Sequence, residues 1–500
     1  MPQITHPLGI VIRQSIRSSV FAYLGVIIGY VNVLWLFPYF MDTEQVGLMR
    51  LLQTTIVLLA TFGQLGMPQT AVRFFPERKK DRGFPAFLQL MGLLGFLVLA
   101  LLAYLFRDAI IGLFSDKSPL FVEYFEFTIL LSFCFIQFQI MEALSKSHLK
   151  TIFPAFVKEV QQRFLITILV FLFGFGLLSF EQMIYSLFIV YASLLVSMSI
   201  YLVRLGALSG KVDFSFLNKT RFRQIMRYGF YSLLGAGGTQ IVLQIDSVMV
   251  SSQLGTAANG IYSIAFFMGL VIEMPKRSIT QVVSPLIAQA NERQDVDQIR
   301  TLYKQSSINQ FIIGSLLLLG IWANLDNVYQ FIPNGKDYET GMGVVLFIGL
   351  GKLSDMLFGV NGEIIVMSKH YRFNVIAVSI LALLTIGLNY LLIPEYGLEG
   401  AAMASMVAML TFNLSKYVFV WLKLGMQPFT AKTGLFVLIM ALAVFVNSLL
   451  PAQAHPLVDL LLRSAIITVV VLAPTYALAL SPEMNGIFHR FIQVLMGKKA

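Results

Sequence analysis

Long apolar runs separated by short polar segments make up most of this 500-residue chain. An α-helix needs about 20 predominantly apolar residues to cross a bilayer. Fourteen runs have this length, although the fifth is the least apolar because Lys158, Glu159 and Arg163 lie in its first turns. The pattern predicts an all-α integral membrane protein with about 14 transmembrane helices, near 18–40, 46–68, 86–106, 121–143, 157–178, 182–204, 228–252, 257–279, 307–325, 341–360, 373–393, 397–421, 432–450 and 457–479.

The composition supports lipid as the solvent of this chain. Hydrophobic residues make up 57% of the sequence, charged residues make up 12%, and the mean hydropathy is +0.77. Soluble domains are about 45–50% apolar and about 25% charged. The single cysteine, Cys134, excludes an intramolecular disulfide and a multi-thiolate metal site. The first apolar run is too long for a cleavable signal peptide, so we interpret it as the first membrane helix.

The net charge of +10 does not indicate a nucleic-acid partner, because the basic residues form short clusters between apolar runs. With the N-terminus placed in the cytoplasm, 30 of the 36 Lys and Arg residues lie in cytoplasmic segments or helix ends. Cytoplasmic loops of membrane proteins carry such an excess. Both termini are therefore predicted to be cytoplasmic, and only three basic residues lie on the opposite side: Arg107, Lys117 and Lys336.

The chain is predicted to consist of two similar halves. A basic segment at 204–227 separates the sixth and seventh helices, and TEQVG (43–47) is matched by TAANG (256–260) at an offset of 213 residues. Six helices in each unit would return the chain to its starting side, as in parallel transporter repeats. The predicted organisation is two pseudo-symmetric six-helix bundles plus two C-terminal helices, divided at 1–205, 206–227 (a cytoplasmic linker), 228–425 and 426–500.

Two segments, QIDSVMVSSQLGTAANGIYSIA (244–265) and NYLLIPEYGLEGAAMASMVA (389–408), resemble the multidrug/oligosaccharidyl-lipid/polysaccharide (MOP) exporter superfamily. The similarity is to its bacterial polysaccharide and O-antigen flippase branch. It implies alternating access between two bundles and no enzymatic activity. The matching residues are Asp246, Gly260, Tyr262, Asn389, Pro394, Gly397, Gly400, Ala401 and Ala402.

Arg50 is the most informative charged residue, because an ionisable group inside a spanning helix is costly unless it is paired or hydrated. No acid lies three or four residues away, since those positions are Val46, Gly47, Gln53 and Thr54. A guanidinium group can bind a phosphate in a bidentate manner. Flippases of the family carry cations in a central cavity, so the resemblance implies a substrate contact. The alternative is a structural arginine bonded to carbonyl groups.

The eighth and tenth predicted helices each carry charges of both signs. Glu273 and Arg277 are four residues apart in the favourable order for an intrahelical pair, with Lys276 beside them. Lys352 and Asp355 are three residues apart on the tenth helix and could pair in the same way. Lys276, Arg277 and Lys352 are candidate substrate-binding cations, while Glu273 and Asp355 are candidate coupling or gating acids. Salt-bridged helix ends are the alternative.

Two further residues are site candidates. Asp246 has no cation within helical reach, so it is interpreted either as a coupling residue or as a hydrogen-bonding group between helices. Arg17 precedes the first helix and is either an interfacial anchor or a contact for an anionic headgroup. The five histidines lie outside helix centres, and no P-loop or GxSxG motif occurs. No metal, cofactor or catalytic residue is expected.

These observations predict a flippase of the bacterial inner membrane. Its expected substrate is a polyprenyl-pyrophosphate-linked oligosaccharide, such as an O-antigen, capsule or exopolysaccharide repeat unit. The last two helices are expected to line a groove for the lipid tail, apart from Arg463. Membrane lipids and other glycan-assembly membrane proteins are candidate partners, and a monomer is expected. The alternatives are a cation-coupled multidrug exporter of the same superfamily and a membrane-embedded glycan-assembly enzyme.

Overall fold

The computed structural model describes residues 7–78, 83–208, 214–486 and 489. Within these ranges the chain is helical and contains no strand, which confirms the all-α class. Two compact units comprise residues 1–260 and 261–500. The helices are α1 (Pro7–Val31), α2 (Phe37–Phe40), α3 (Thr43–Gly63), α4 (Met67–Arg78), α5 (Phe84–Leu105), α6 (Arg107–Gly112), α7 (Pro119–Ser147), α8 (Ile152–Ala155), α9 (Gln162–Gly174), α10 (Phe180–Arg204), α11 (Lys219–Leu254), α12 (Thr256–Leu270), α13 (Met274–Glu292), α14 (Val296–Trp322), α15 (Leu325–Phe331), α16 (Met342–Leu357), α17 (Asn361–Met367), α18 (Tyr371–Leu424), α19 (Ala431–Leu449) and α20 (Pro456–Ala477).

Short irregular helical turns join several of these helices. The segments Asn32–Leu36 and Phe156–Gln161 are π-helical, and Val271–Glu273 and Gly335–Gly341 are 3₁₀-helical. Each π segment continues directly into the next α-helix, so Pro7–Phe40 and Ile152–Gly174 each form one continuous helical stretch. The second stretch coincides with the fifth predicted span and includes its three charged residues.

Among the described residues, eleven helical segments are long and apolar enough to cross a membrane. A twelfth span results if α14 and α15, which meet at a bend of 64°, are counted as one. Helix α18 has 54 residues and is broken at Gly397, where φ is 59° and ψ is −133°. It consists of two helices that meet at this kink, and at 1.5 Å per residue their lengths add up to about 80 Å, more than twice the hydrocarbon thickness of about 30 Å. The predicted count of fourteen therefore corresponds to counting α18 twice and including the charged stretch at 152–174.

Helix α7 lies at the centre of the first unit, where it packs against α3, α4, α5 and α10. Its buried face carries Leu131, Ile136, Phe138 and Ile140, which belong to one continuous apolar core. Helix α11 packs along α3, so it belongs to this compact unit rather than to the following one. The division into four segments expected from the sequence stays a prediction.

The two copies of the repeated Thr-x-x-x-Gly motif contact each other within the first unit. A Cβ atom on Gly47 would overlap the carbonyl oxygen of Thr256, and a Cβ atom on Gly260 would overlap the carbonyl oxygen of Thr43. The contact is therefore reciprocal, as in an interface with two-fold symmetry. Small residues allow such close approach of helix backbones in membranes. Asn259 adds one hydrogen bond, from Nδ2 to the carbonyl oxygen of Gly47 at 3.0 Å.

The second unit is organised around α16, which packs against α14 on one side and α18 on the other. The short turn Val271–Glu273 that precedes α13 also contacts α16. Helices α19 and α20 pack against each other and against α14, and they share a buried apolar cluster with it. This arrangement brings the charged residues of α13, α16 and α18 close together.

Candidate functional site

Arg50 lies in the second turn of α3 and is half-buried. The helix begins with a capping box, in which the Asp42 carboxylate accepts a hydrogen bond from the backbone N–H of Gln45 at 2.8 Å. The Arg50 guanidinium donates to Oε1 of Gln244 on α11 at 3.3 Å, and the fully buried Thr54 hydroxyl donates to the same oxygen at 3.2 Å. Gln244 thus orients the predicted substrate-contacting arginine.

Asp246 lies two residues beyond Gln244 on α11 and is only 5% exposed. The next residue, Ser247, donates to Oδ1 of Asn259 at 2.8 Å, and Asn259 in turn donates to the backbone of Gly47. The structure therefore places Asp246 in a buried polar region where α3, α11 and α12 meet. Both predicted roles, ion coupling and interhelical hydrogen bonding, stay open at this position.

A separate network of charges occupies the second unit. Lys276 on α13 forms an ion pair with Asp355 on α16, and Lys352 on α16 forms an ion pair with Glu273 at 2.5 Å. Arg277 reaches the other oxygen of Glu273 at 3.6 Å, which confirms the expected intrahelical pair, but its side chain is 66% exposed. The network therefore joins two helices by two parallel ion pairs.

Lys352 and Asp355 do not form the pair along one helix that their spacing allowed, because each has a partner on the neighbouring segment. Along the chain, the acid comes first in Glu273 and Lys276, whereas the base comes first in Lys352 and Asp355. When the two helical segments pack side by side, each charge faces its opposite on the neighbouring helix. Each residue therefore pairs across the interface rather than along its own helix.

Lys416 is a further member of this network. It lies near the end of the twelfth predicted span (397–421) and was not among the candidate site residues. Helix α18 continues to Leu424, so Lys416 lies two turns inside it and is only 5% exposed. Its ammonium group is 3.9 Å from Asp355 and 4.1 Å from the centre of the Phe412 ring. Glu363 on α17 interacts electrostatically with Lys276 and Lys416. The signal that could have identified this residue is its position inside the predicted span 397–421, because an ionisable group within a span is costly unless it is paired or hydrated.

The predicted site residues therefore fall into two groups. Arg50 and Asp246 belong to the first unit, while the network in the second unit contains Glu273, Lys276, Arg277, Lys352 and Asp355. Arg17 lies in α1, but its side chain is outside the described residues.

Arg463 in α20, which seemed out of place in a groove for a lipid tail, is held by polar partners. It donates to Asp459 at 2.7 Å, to Oδ1 of Asn447 at 3.2 Å and to the carbonyl oxygen of Leu450 at 3.1 Å. Asp459 also accepts from Asn327 at 2.6 Å. These groups border a cavity of about 400 Å³ at the end of α20. The positive charge of Arg463 is therefore compensated by an acid and by polar groups within the protein.

The fold is similar to the folds of solved membrane transporters. The structure resembles a solved structure of the lipid II flippase MurJ in an inward closed conformation, with a TM-score of 0.75 and 18% identity over 95% of this chain and 99% of that chain. It also resembles an inward-facing multidrug resistance MATE family transporter of the MOP superfamily, with a TM-score of 0.61 and 12% identity over 81% and 94% of the two chains. A MOP superfamily transporter from Pyrococcus furiosus matches with a TM-score of 0.55 and 12% identity over 83% and 96%.

The sequence identifies the family within this class. Residues 11–291 match the polysaccharide biosynthesis protein family, and the chain belongs to that family. No curated protein matches the chain in sequence. The predicted resemblance is confirmed, because the chain belongs to the polysaccharide biosynthesis protein family and its fold is similar to those of MOP superfamily proteins. Family and fold resemble transporters and flippases rather than enzymes.

Proposed function

We propose that this protein is a flippase that moves a polyprenyl-pyrophosphate-linked oligosaccharide across the bacterial inner membrane by alternating access. The polysaccharide biosynthesis family match, together with a MurJ-like fold over 95% of the chain, is the observation that carries this proposal. A substrate of this class carries two adjacent phosphates at the lipid–sugar junction. The transporter therefore needs cations inside the membrane region, and these are costly to place there without a function.

Arg50 is the proposed pyrophosphate contact in the first unit. Gln244 accepts a hydrogen bond from the Arg50 guanidinium, and Thr54 donates to the same Gln244 oxygen. Both residues are uncharged, so neither of them neutralises the positive charge of Arg50. A fixed guanidinium offers two parallel N–H donors to phosphate oxygens. In the second unit, Lys276, Lys352 and their acidic partners form the proposed polar surface that responds to the substrate's charge.

The membrane orientation, the binding partners and the oligomeric state are part of the same proposal. We place both termini in the cytoplasm, because the basic residues concentrate in the segments that share this side. The proposed partners are the lipid-linked oligosaccharide and membrane lipids, and the proposed active form is a monomer.

Complementation of a strain that lacks its own polysaccharide flippase tests the proposed contact. Arg50→Ala should reach the membrane at the level of the unmodified protein but fail to restore polysaccharide export. The lost charge-assisted contact is worth on the order of 2–5 kcal/mol. Arg50→Lys should restore export in part, because an ammonium group keeps the charge but lacks the planar fork.

Arg107→Ala is a matched control, because Arg107 is an exposed arginine of the same unit that pairs with Glu126 at 3.1 Å. It should complement fully. Full complementation by Arg50→Ala would refute the anion site. Export of cationic drugs, without restored polysaccharide, would instead favour the multidrug exporter.

A further inference from the structure

The first unit contains a cavity of about 670 Å³ that lies outside both groups of predicted site residues. Helices α4, α7 and α11 and the π-helical segment at 156–161 line it, all within one compact unit. In the proposed orientation, with both termini in the cytoplasm, this end of α4 and α7 lies on the cytoplasmic side. The cavity is then at the level where lipid headgroups meet water.

The charged groups of this cavity have a net positive charge. The carboxylate of Glu142 lies between two lysines, with Lys146 at 2.7 Å and Lys158 at 3.6 Å, while Arg73 lines the same cavity. Three cations and one acid leave a net charge of about +2. Each lysine ammonium has three donors and uses one on Glu142, so further donors remain for a ligand.

The uncharged groups of the cavity add hydrogen-bonding capacity. Gln69 lines the cavity, and its Oε1 is buried without a donor from any described residue. An unsatisfied buried acceptor of this kind normally has a partner in a functional state. Arg73 is exposed and lines the same cavity, so its guanidinium can reach an anion bound there. The cavity therefore has more hydrogen-bond donors than acceptors, and one acceptor, Oε1 of Gln69, can accept a hydrogen bond from a hydroxyl group of the ligand.

We propose that this cavity binds a phosphate group, presented either by an anionic lipid headgroup or by free phosphate. Basic pockets between transmembrane helices on the cytoplasmic side are suited to anionic headgroups, because phosphate oxygens accept from lysine and arginine. A headgroup that also carries a hydroxyl, as phosphatidylglycerol does, can donate to Gln69. The site is independent of the proposed substrate contact at Arg50.

Binding to the purified full-length protein in a neutral detergent tests the proposal. Phosphatidylglycerol, phosphatidylcholine and inorganic phosphate are titrated separately, and bound lipid is measured by native mass spectrometry. Arg73→Gln should weaken phosphatidylglycerol binding about fivefold, the effect of one basic residue near an anionic headgroup. Arg223→Gln is the matched control, because Arg223 is an exposed arginine of the same unit that does not line the cavity. It should leave binding unchanged.

Glu142→Gln distinguishes a binding site from a structural ion pair. Removal of this carboxylate should strengthen phosphatidylglycerol binding, because both lysines then face the ligand without a competing acid. Two results would overturn the proposal. The first is equal affinity of the Arg73→Gln and Arg223→Gln variants for phosphatidylglycerol. The second is a protein that shows no preference for phosphatidylglycerol over phosphatidylcholine and also does not bind inorganic phosphate. If inorganic phosphate binds and its binding depends on Arg73, free phosphate is a ligand of the site. If inorganic phosphate does not bind, but phosphatidylglycerol binds in a manner that depends on Arg73, the ligand is the lipid headgroup. If Glu142→Gln does not fold, the exposed Arg73 still decides the outcome.

Discussion

The ion pair between Glu273 and Lys352 offers a quantitative test of the charge network. Their side chains are 19% and 9% exposed, and the pair is 2.5 Å long. Removing one partner of a buried pair typically costs about 3–5 kcal/mol, because an uncompensated charge remains. Glu273→Gln leaves the Lys352 ammonium buried, so we expect a loss near the upper end of that range. Lys352→Met should cost about 3 kcal/mol, since the exposed Arg277 still reaches Glu273 at 3.6 Å.

The double variant Glu273→Gln/Lys352→Met should be within about 1 kcal/mol of the unmodified protein, because replacing both members of a buried pair by uncharged groups is often neutral. Unfolding in mixed micelles, followed by circular dichroism, gives the four apparent free energies of a double-mutant cycle. The exposed pair Arg300–Asp297, at 2.6 Å, is the control, and its removal should cost less than about 0.5 kcal/mol. A double variant that loses the sum of the two single losses would refute the reasoning.

Three further outcomes are expected. Gly47→Ala should destabilise the protein by about 1–3 kcal/mol, because its Cβ overlaps the backbone of Thr256; unchanged unfolding would show that the contact is loose. Reporter fusions after Leu217 should indicate the cytoplasm and fusions near Lys117 the opposite side, and the reverse signal would contradict the assumed orientation. Asp246→Asn should lower transport in complementation at normal protein levels, whereas full activity would reduce this residue to an interhelical contact.

The length and hydrophobicity of the apolar runs were sufficient to predict the helical class, because the bilayer imposes one length on every spanning helix. Charges along one helix were less informative. The spacing of Glu273 and Arg277 correctly predicted their pair, since both lie on one helix and need no knowledge of its neighbours. The spacing of Lys352 and Asp355 misled, because a neighbouring helix supplied a better partner for each.

Lys416 shows the same limit at a helix end. Lys416 lies inside the predicted span 397–421, but its acidic partner Asp355 lies on α16, so spacing along α18 could not indicate the pair. The role of Gln244 was likewise invisible in the sequence, because 194 residues separate it from Arg50 and a neutral amide carries no signal in a search for charges. The contacts of Lys416 and of Gln244 both depend on how distant helices pack, which the sequence pattern alone does not give.

The reciprocal contact between the two Thr-x-x-x-Gly motifs differs from a homodimer interface in how it responds to substitution. In a homodimer, every substitution changes both sides of a symmetric interface at once. Here Asn259 bonds to the backbone of Gly47, but the equivalent position in the first motif is Val46, which cannot return that bond. The two glycines thus give the same close approach on both sides of the contact, whereas the polar contact belongs to one copy alone. Because both copies lie on one chain, a substitution changes only one side of the contact, so the two sides can carry different side chains.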